Sequence, residues 1–204
     1  MPVNNTIPYE VIAAPYDVYW AVVGSAFPDI DEEPAAPWNL LGTSGSLNYT
    51  EAGVTIAHSD ETVQWKSLGD TGTRKVFRVG EGLAVRLVLA DVSLEQYRHA
   101  LNLNTVNAVA AAVGSAAYKW IGLSKGPFVE QVALLVRGPS AYGDGWYSHY
   151  RIPIAFQTGN PEPVFVKGEP VGLALEYTAV IDPDALTAVE RFGRLVMQTS
   201  DAGT

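Results

Sequence analysis

The three histidines, one of them beside a serine, are the first residues to consider for chemistry. His58, His99 and His149 lie far apart, without the close carboxylate-histidine spacing of a metal site. Ser148 and His149 are neighbours in "GWYSHYRIPIAF", which alternates like a strand, so their side chains point to opposite faces. A nucleophile and its base cannot hydrogen-bond to each other in that arrangement. We therefore predict neither a metal site nor a serine hydrolase.

Carboxylates and glycines offer two further motifs. Four acids cluster in "DIDEEP", and an acidic loop bounded by proline is more typical of a solvated or docking surface than of a general acid and base. The Gly-x-Gly of "VGEGLAV" precedes a strand-like run, so it offers no helix N-terminus to a pyrophosphate and indicates a hairpin turn. Cysteine is absent, which excludes thiolate chemistry and disulfides. We predict no catalytic residue, no cofactor and no enzyme activity.

The charge of the chain is unevenly distributed. The formal net charge is -9, and all 13 basic residues lie at Lys66 or later. The acidic first third repels phosphate, so tight binding of nucleic acid is not expected, whereas contact with DNA without retention is compatible with it. The long segment "GSAFPDIDEEPAAPWNLLGTSG" exceeds an ordinary turn, and loops of that length are typically functional or interaction segments.

The elements that must position these residues are mostly strands. Short alternating runs between glycines and prolines predict a mostly β protein of two packed antiparallel sheets, a sandwich or barrel, with one flanking α-helix and long loops. The helix is expected to begin after Asp91 or Ser93, with Leu94, Tyr97 and Leu101 on its apolar stripe. A weaker helical pattern covers "PDALTAVERFGRLVM". Strands are predicted at 10–23, 54–58, 62–67, 75–79, 83–90, 118–123, 129–137, 146–156, 163–167 and 172–181.

A single domain is predicted over residues 1–204. It contains an acidic loop at about 25–46, an extended hairpin at about 62–90 and a C-terminal extension at about 183–204. The N-terminal decapeptide lacks the basic region and apolar core of a signal peptide. No apolar run approaches the ~20 residues of a membrane span, so no membrane association is expected.

The order of several segments resembles the major tail tube proteins of long-tailed, siphovirus-type bacteriophages. The most extensive is "VTIAHSDETVQWKSLGDTGTRKVFRVGEGLAVRLVLADVSLEQYRHAL", with a strand pair, a hairpin, a Gly-rich turn, a strand ending in an acid and a helix. The opening "APYDVYWAVVGSAFPDID" and the later "VALLVRGPSAYGDGW" and "GEPVGLALEYTAVIDPDA" are similar to that family too. The resemblance covers most of residues 10 to 195, and its specificity lies in the order of the motifs.

The resemblance implies a structural virion protein. In that family one sheet joins those of five sister subunits into a closed inner barrel, the helix lies outside, and hexameric rings stack head to tail into a tube that conducts DNA from capsid to host. Implied partners are further copies of the chain and the tail tip or initiator, tape measure and tail terminator proteins, with DNA passing through unbound. The implied location is the virion tail, assembled in the host bacterial cytoplasm. Some relatives carry an extra immunoglobulin-like domain, for which this chain is too short.

Two sets of residues are candidates for roles in such a tube. Glu176 is the main candidate for the lumen, because it alternates against Leu173, Leu175 and Tyr177, which are expected to face the core; Asp60 and Glu61 are weaker candidates. The cations of the hairpin are expected to meet the acidic loop of another subunit, or alternatively to balance acids such as Glu81 within one chain. The inter-subunit candidates are Arg74, Lys75, Arg78, Asp29, Asp31, Glu32 and Glu33.

Two other functions remain open from the sequence. The hexameric needle protein of type VI secretion systems has rings that resemble tail tubes. A β-sandwich that binds sugars is suggested by the aromatic run around Trp146, Tyr147 and Tyr150, because exposed aromatic rings can stack on sugars. A sugar-binding module would be a monomer that binds glycans, whereas a tube protein would form rings or polymers.

Overall fold

The computed structural model of the protein describes residues 11–201, and it is mostly β, with 42% of residues in strands and 6% helical. One large antiparallel sheet, one small sheet and a single short α-helix confirm the predicted fold class. The ends of the predicted domain, including the first residue of the predicted strand 10–23, lie outside the described residues. The strands are β1 (Asp17–Val22), β2 (Asn39–Leu40), β3 (Tyr49–Trp65), β4 (Lys75–Leu89), β5 (Val106–Val109), β6 (Tyr118–Ile121), β7 (Gln131–Pro139), β8 (Tyr147–Gln157), β9 (Leu173–Ala179) and β10 (Arg194–Met197).

The large sheet has the strand order β2-β1-β7-β8-β9-β4-β3, and β10 pairs with β8. The small sheet pairs β5 with β6. The strands β1 and β7 form one wing of the sheet, and β9 and β4 form the other. Alternation along these strands places Val18 and Leu134 of the first wing and Val85 and Leu175 of the second in a single apolar core. Because both wings of the sheet share this core, the large sheet folds over on itself.

The helix α1 (Leu94–Tyr97), extended by a 3-10 turn at Arg98–Leu101, lies against the core and confirms the predicted helix. His99 in this turn is 2% exposed, and its Nδ1 lies 2.9 Å from the Tyr177 hydroxyl. The Trp20 ring meets the imidazole edge-on, with 4.9 Å between ring centroids. His99, for which the sequence predicts no catalytic or metal-binding role, is therefore a buried packing residue.

The long acidic loop between β1 and β2 covers the outer face of β1 and β7. Phe27 and Trp38 contact each other at 5.0 Å between ring centroids, and the Trp38 Nε1–H donates to the Ala26 carbonyl at 2.9 Å. Trp38 packs with Tyr19 and Leu135 in a second apolar cluster. Apolar contacts thus hold the loop on its own sheet, and the acidic residues of the loop are exposed on its outer surface.

The predicted turn at Gly80-Glu81-Gly82 is wrong. β4 continues through these residues, and the hairpin turns between β3 and β4 instead, at residues 66–74. The glycines permit close cross-strand approach, because a Cβ at Gly82 would lie 2.7 Å from the Ser59 hydroxyl and one at Gly80 would lie 3.1 Å from a Glu61 carboxylate oxygen. A register irregularity beside Glu61 marks the same place.

The predicted helix over 183–197 is also wrong. Turns occupy most of the segment, which ends in β10. Leu186 and Val189, two members of the expected apolar stripe, are 83% and 89% exposed, so no core surface is present to support a helix there. Gly193 has a φ of 116°, and a Cβ on it would lie 2.0 Å from the Arg151 carbonyl oxygen. This glycine allows the chain to turn and lie against β8.

Other strand boundaries differ in simple ways. The runs predicted at 54–58 and 62–67 are parts of β3, and those at 75–79 and 83–90 are parts of β4. No strand forms at 163–167. β5 lies in "NLNTVNAVAAAVGSAAY", a small-residue segment whose sequence indicated no element.

Candidate assembly surfaces

The end of the β3–β4 hairpin projects from the body of the protein. We call residues 62–79 the arm; none of them is buried. β3 has 17 residues, which corresponds to a strand roughly 56 Å long. Only residues 62–65 of β3 belong to the arm. Because an isolated two-stranded ribbon is at best marginally stable in water, a ribbon that its own chain leaves uncovered is suited to contact with another molecule.

One face of the arm is apolar. In the register of the hairpin, Val63 lies opposite Phe77 and Trp65 lies opposite Lys75, so these four side chains share one face, the apolar face. Val63 and Trp65 are both 51% exposed, and Phe77 is 46% exposed. The Lys75 ammonium lies 5.0 Å from the centroid of the Phe77 ring. Sequence reasoning singled out the cations of this hairpin and missed its apolar face, although Val63 and Trp65 alternate in "TVQW".

Two of the three hairpin cations have carboxylate partners in their own chain. Arg74 Nε lies 3.2 Å from Asp70, and Arg78 Nε lies 2.7 Å from Asp60. Arg78 is also 3.9 Å from Glu81, the acid named in the in-chain alternative. Lys75 has no ion-pair partner among residues 11–201. Since exposed ion pairs contribute only about 0 to 1 kcal/mol, these arginines can exchange partners at small cost.

The four acids of the loop are not equivalent. Glu33 accepts a hydrogen bond from the Tyr19 hydroxyl at 3.0 Å and forms an ion pair with Arg137 at 2.7 Å. It therefore helps to hold the loop on its own sheet. The other three loop acids are exposed and have no ion-pair partner within the described part of the chain: Asp29, Asp31 and Glu32.

The lumen candidates do not all share one face. Leu173, Leu175 and Tyr177 are buried, as expected, and Glu176 points away from the core. Its carboxylate forms an ion pair with Arg86 at 2.8 Å, so its charge is offset within the chain. Side chains alternate between the two sides of the sheet along β3. In the register of β3, β4 and β9, Glu61 lies on the same side as Glu176, and Asp60 lies on the other side.

The edge of β3 opposite β4 is unpaired among the described residues. β3 ends the large sheet on one side, whereas β2, at the other end, has only two residues. A long strand with a free edge is a template for pairing with another chain. This free edge leads directly into the arm.

The aromatic run near residue 146 is engaged within the chain. The Trp146 indole N–H donates to Asp201 at 2.8 Å, the guanidinium of Arg137 stacks 3.7 Å over the Tyr147 ring, and Tyr150 contacts Tyr16. Each of these three rings therefore has a contact within its own chain.

The remaining residues considered for chemistry are separated. Ser148 shares a 2.7 Å hydrogen bond with the Tyr16 hydroxyl, whereas His149 lies beside Arg137 and Arg151 on the opposite face of β8. His149 is fully buried and neither ring nitrogen has a hydrogen-bond partner; burial, and then the two arginines, lower its pKa to about 4. Over residues 11–201, no three His, Asp or Glu side chains form a group able to hold a metal ion, and no helix is long and apolar enough to cross a membrane.

Neither a protein-family model nor a curated sequence matches this chain. The surfaces described above are the structural observations that bear on its function. Of the surfaces, the free edge of β3 and the arm are the least suited to an isolated monomer.

Reversing the charge of the hairpin tests its expected contact with the acidic loop. Replacing Arg74, Lys75 and Arg78 with glutamate should weaken self-association at low salt, where charge screening is least. Changing Asp29, Asp31 and Glu32 to lysine in the same chain should restore part of it, as judged by sedimentation velocity; Glu33 is left unchanged because its ion pair with Arg137 holds the loop.

Lys75→Glu alone should weaken self-association about tenfold, because the two arginines are already paired within the chain. Arg74→Glu provides the matched single-site control. If the triple variant associates normally at low salt, the hairpin charges have no part in assembly.

Proposed function

We propose that this protein is the tube subunit of a long-tailed bacteriophage tail. Six copies form a ring, and rings stack head to tail into a hollow conduit through which DNA passes from the capsid to the host. The observation that carries the proposal is the long free edge of β3, which continues into an arm that its own chain does not cover. The order of the sequence motifs supports the same assignment.

Ring closure gives the free edge a partner. If β3 pairs with the sheet of the next copy around a ring, every subunit gains backbone hydrogen bonds and the edge of β3 is no longer open. Stacking of rings needs two different complementary surfaces on each copy, because a head-to-tail contact propagates without closing. The cationic arm and the acidic loop are two such surfaces.

The side of the sheet that carries Glu176 has properties suited to a lumen. Small side chains predominate there, among them Ala57, Ala84 and Ala174. Because Arg86 offsets Glu176, we assign the net repulsion of phosphate on this side to Glu61. Such a surface lets DNA slide without the release of counterions that would hold it in place.

In this function the protein acts by shape and charge, without catalysis or a cofactor. Its partners are further copies of itself and the tail tip or initiator, tape measure and tail terminator proteins. Its place is the virion tail, after assembly in the host bacterial cytoplasm.

Light scattering coupled to size-exclusion chromatography tests the proposal over a series of protein concentrations. We expect mass to increase from the 21.9 kDa monomer to a hexamer and to larger stacks, and to increase further when tail initiator proteins are added. A monomer at every concentration, with or without the initiator, would refute the proposal. A monomer that also binds glycans would favour the sugar-binding function.

A further inference from the structure

A groove lies between the acidic loop and the turns that precede β10. Phe27, Pro153 and Leu186 provide its apolar lining, and its volume is about 210 Å³. Leu186 is 83% exposed, so the groove has an apolar wall that its own chain leaves open. The cavity is large enough to take an aromatic side chain, and a pocket of this kind is a common site for the anchor residue of an interface.

The lining of the groove contains one more acid than base. Its lining includes Asp182, Asp184 and Glu190 against Arg151 and Arg194. Both arginines are engaged, since Arg194 forms an ion pair with Glu190 at 2.8 Å and Arg151 donates to the Pro28 carbonyl at 2.7 Å. Asp182 and Asp184 have no ion-pair partner in the part of the chain that the structure describes. Burial lowers the pKa of the Arg151 guanidinium, and Asp29 of the acidic loop lies close enough to counter part of that shift and adds a further negative charge beside the groove.

The arm has the opposite charge. Between residues 62 and 79 the chain has four basic residues and one acid, a net charge of +3, whereas the rest of the chain carries a net charge of -12. The exposed aromatic rings of Trp65 and Phe77 lie on one face, with Lys75 beside them and Lys66 next in the chain. The arm thus combines an aromatic anchor with cations, which is the complement of an apolar pocket rimmed by carboxylates.

We propose that the arm of one copy docks into this groove of another copy, with Trp65 in the cavity and Lys66 and Lys75 facing Asp182 and Asp184. The inference rests on self-assembly as the proposed function and names the surfaces that perform it. A second copy is the partner that fits, because the chain itself supplies both the cationic aromatic surface and the acidic apolar groove. Two different patches on each copy give the heterologous contact that stacking needs.

The area of the contact explains why it belongs to a larger assembly. Three half-exposed side chains on the apolar face offer on the order of 300 Å². A stable complex of two proteins buries more than about 1,000 Å² in total. The arm contact therefore holds only together with another contact, such as strand pairing at β3, and isolated copies do not dimerise through it.

Truncation of the anchor tests the contact. Trp65→Ala should raise the concentration needed for half-maximal assembly about 30-fold, as expected for loss of an interface hot spot. Gln64→Ala, on the opposite face of the arm, is the matched control and should change it less than about threefold. Leu186→Glu should reproduce the defect from the groove. Because Trp65 and Leu186 are exposed, each variant should keep the parent thermal unfolding temperature.

Cross-linking tests the geometry directly, because the chain has no cysteine of its own. Lys66→Cys and Asp184→Cys chains, mixed under assembly conditions and oxidised, should form a disulfide-linked dimer. Lys66→Cys mixed with Ser124→Cys, an exposed site outside the groove, should not.

The outcomes separate the contact from the proposed function. Rings or tubes that form without the disulfide, or that are unaffected by Trp65→Ala, overturn the docking and leave the tube function standing. A specific disulfide within oligomers that are neither rings nor tubes supports the docking and overturns the tube. If neither the disulfide nor the rings form, the docking is overturned. An arm that is captured only by a different tail protein overturns the docking too.

Discussion

Lysines on the free edge of β3 are expected to abolish ring formation while leaving the monomer folded. We choose Ala57→Lys together with Ser59→Lys, because both side chains lie on the last strand of the sheet, opposite Ala84 and Gly82. Lysine on an edge strand is a common device against strand pairing between chains, and in the proposed hexamer each of the six contacts would carry the change. The monomer should lose no more than about 1 kcal/mol of unfolding free energy.

The control adds the same charge elsewhere. Ala108→Lys with Ala110→Lys places two lysines on and beside β5, where both positions are exposed, and should assemble like the parent protein. Light scattering reports the assembly, and chemical denaturation at low protein concentration reports the unfolding free energy of the monomer. If the β3 variant forms hexamers at the same protein concentrations as the parent protein, the rings do not close through this edge.

Mild acid is expected to destabilise the folded monomer, because two histidines are buried in neutral form. Burial, and then Arg98, lowers the pKa of His99 to about 3, and burial, followed by Arg151 and Arg137, lowers that of His149 to about 4. Between these values and the ordinary pKa near 6.5, the unfolded chain binds more protons than the folded one. Stability is therefore complete above about pH 6.5 and is lost as the pH falls.

The size of the effect follows from the two protons. Between pH 6.5 and 5, above the range in which most carboxylates titrate, the unfolding free energy should fall by roughly 3 kcal/mol. Urea denaturation across this range measures it. His99→Gln retains a polar partner for the Tyr177 hydroxyl and takes up no proton, so its pH dependence should be about half as steep. An unfolding free energy constant from pH 6.5 to 5 would mean that these histidines are accessible to protons in the folded state.

The success and failure of sequence reasoning have physical causes. Alternation correctly placed Glu176 on the side opposite Leu175, because a residue's face on a strand depends only on parity. Parity also separates Asp60 from Glu61, although both are candidates for the same lumen. The helix expected at 183–197 failed because a periodic stripe forms a helix only when a core receives it, and here Leu186 and Val189 face outward.

The assembly surfaces depend on strand register and on contacts between distant segments, which local sequence patterns do not specify. The partners of Arg78 follow from the register of β3 and β4, and that register includes an irregularity at Glu61. The sequence placed the turn at Gly80-Glu81-Gly82, so it could not pair Arg78 with Asp60 across the strands. The groove beside Phe27 joins segments more than 100 residues apart, and only the folded chain brings them together.

Electron microscopy of the purified or overexpressed full chain tests the central claim most directly. Negatively stained particles should show six-fold rings and hollow tubes built by stacking those rings. Particles that remain small and compact at high concentration and in the presence of tail initiator proteins would contradict the assignment.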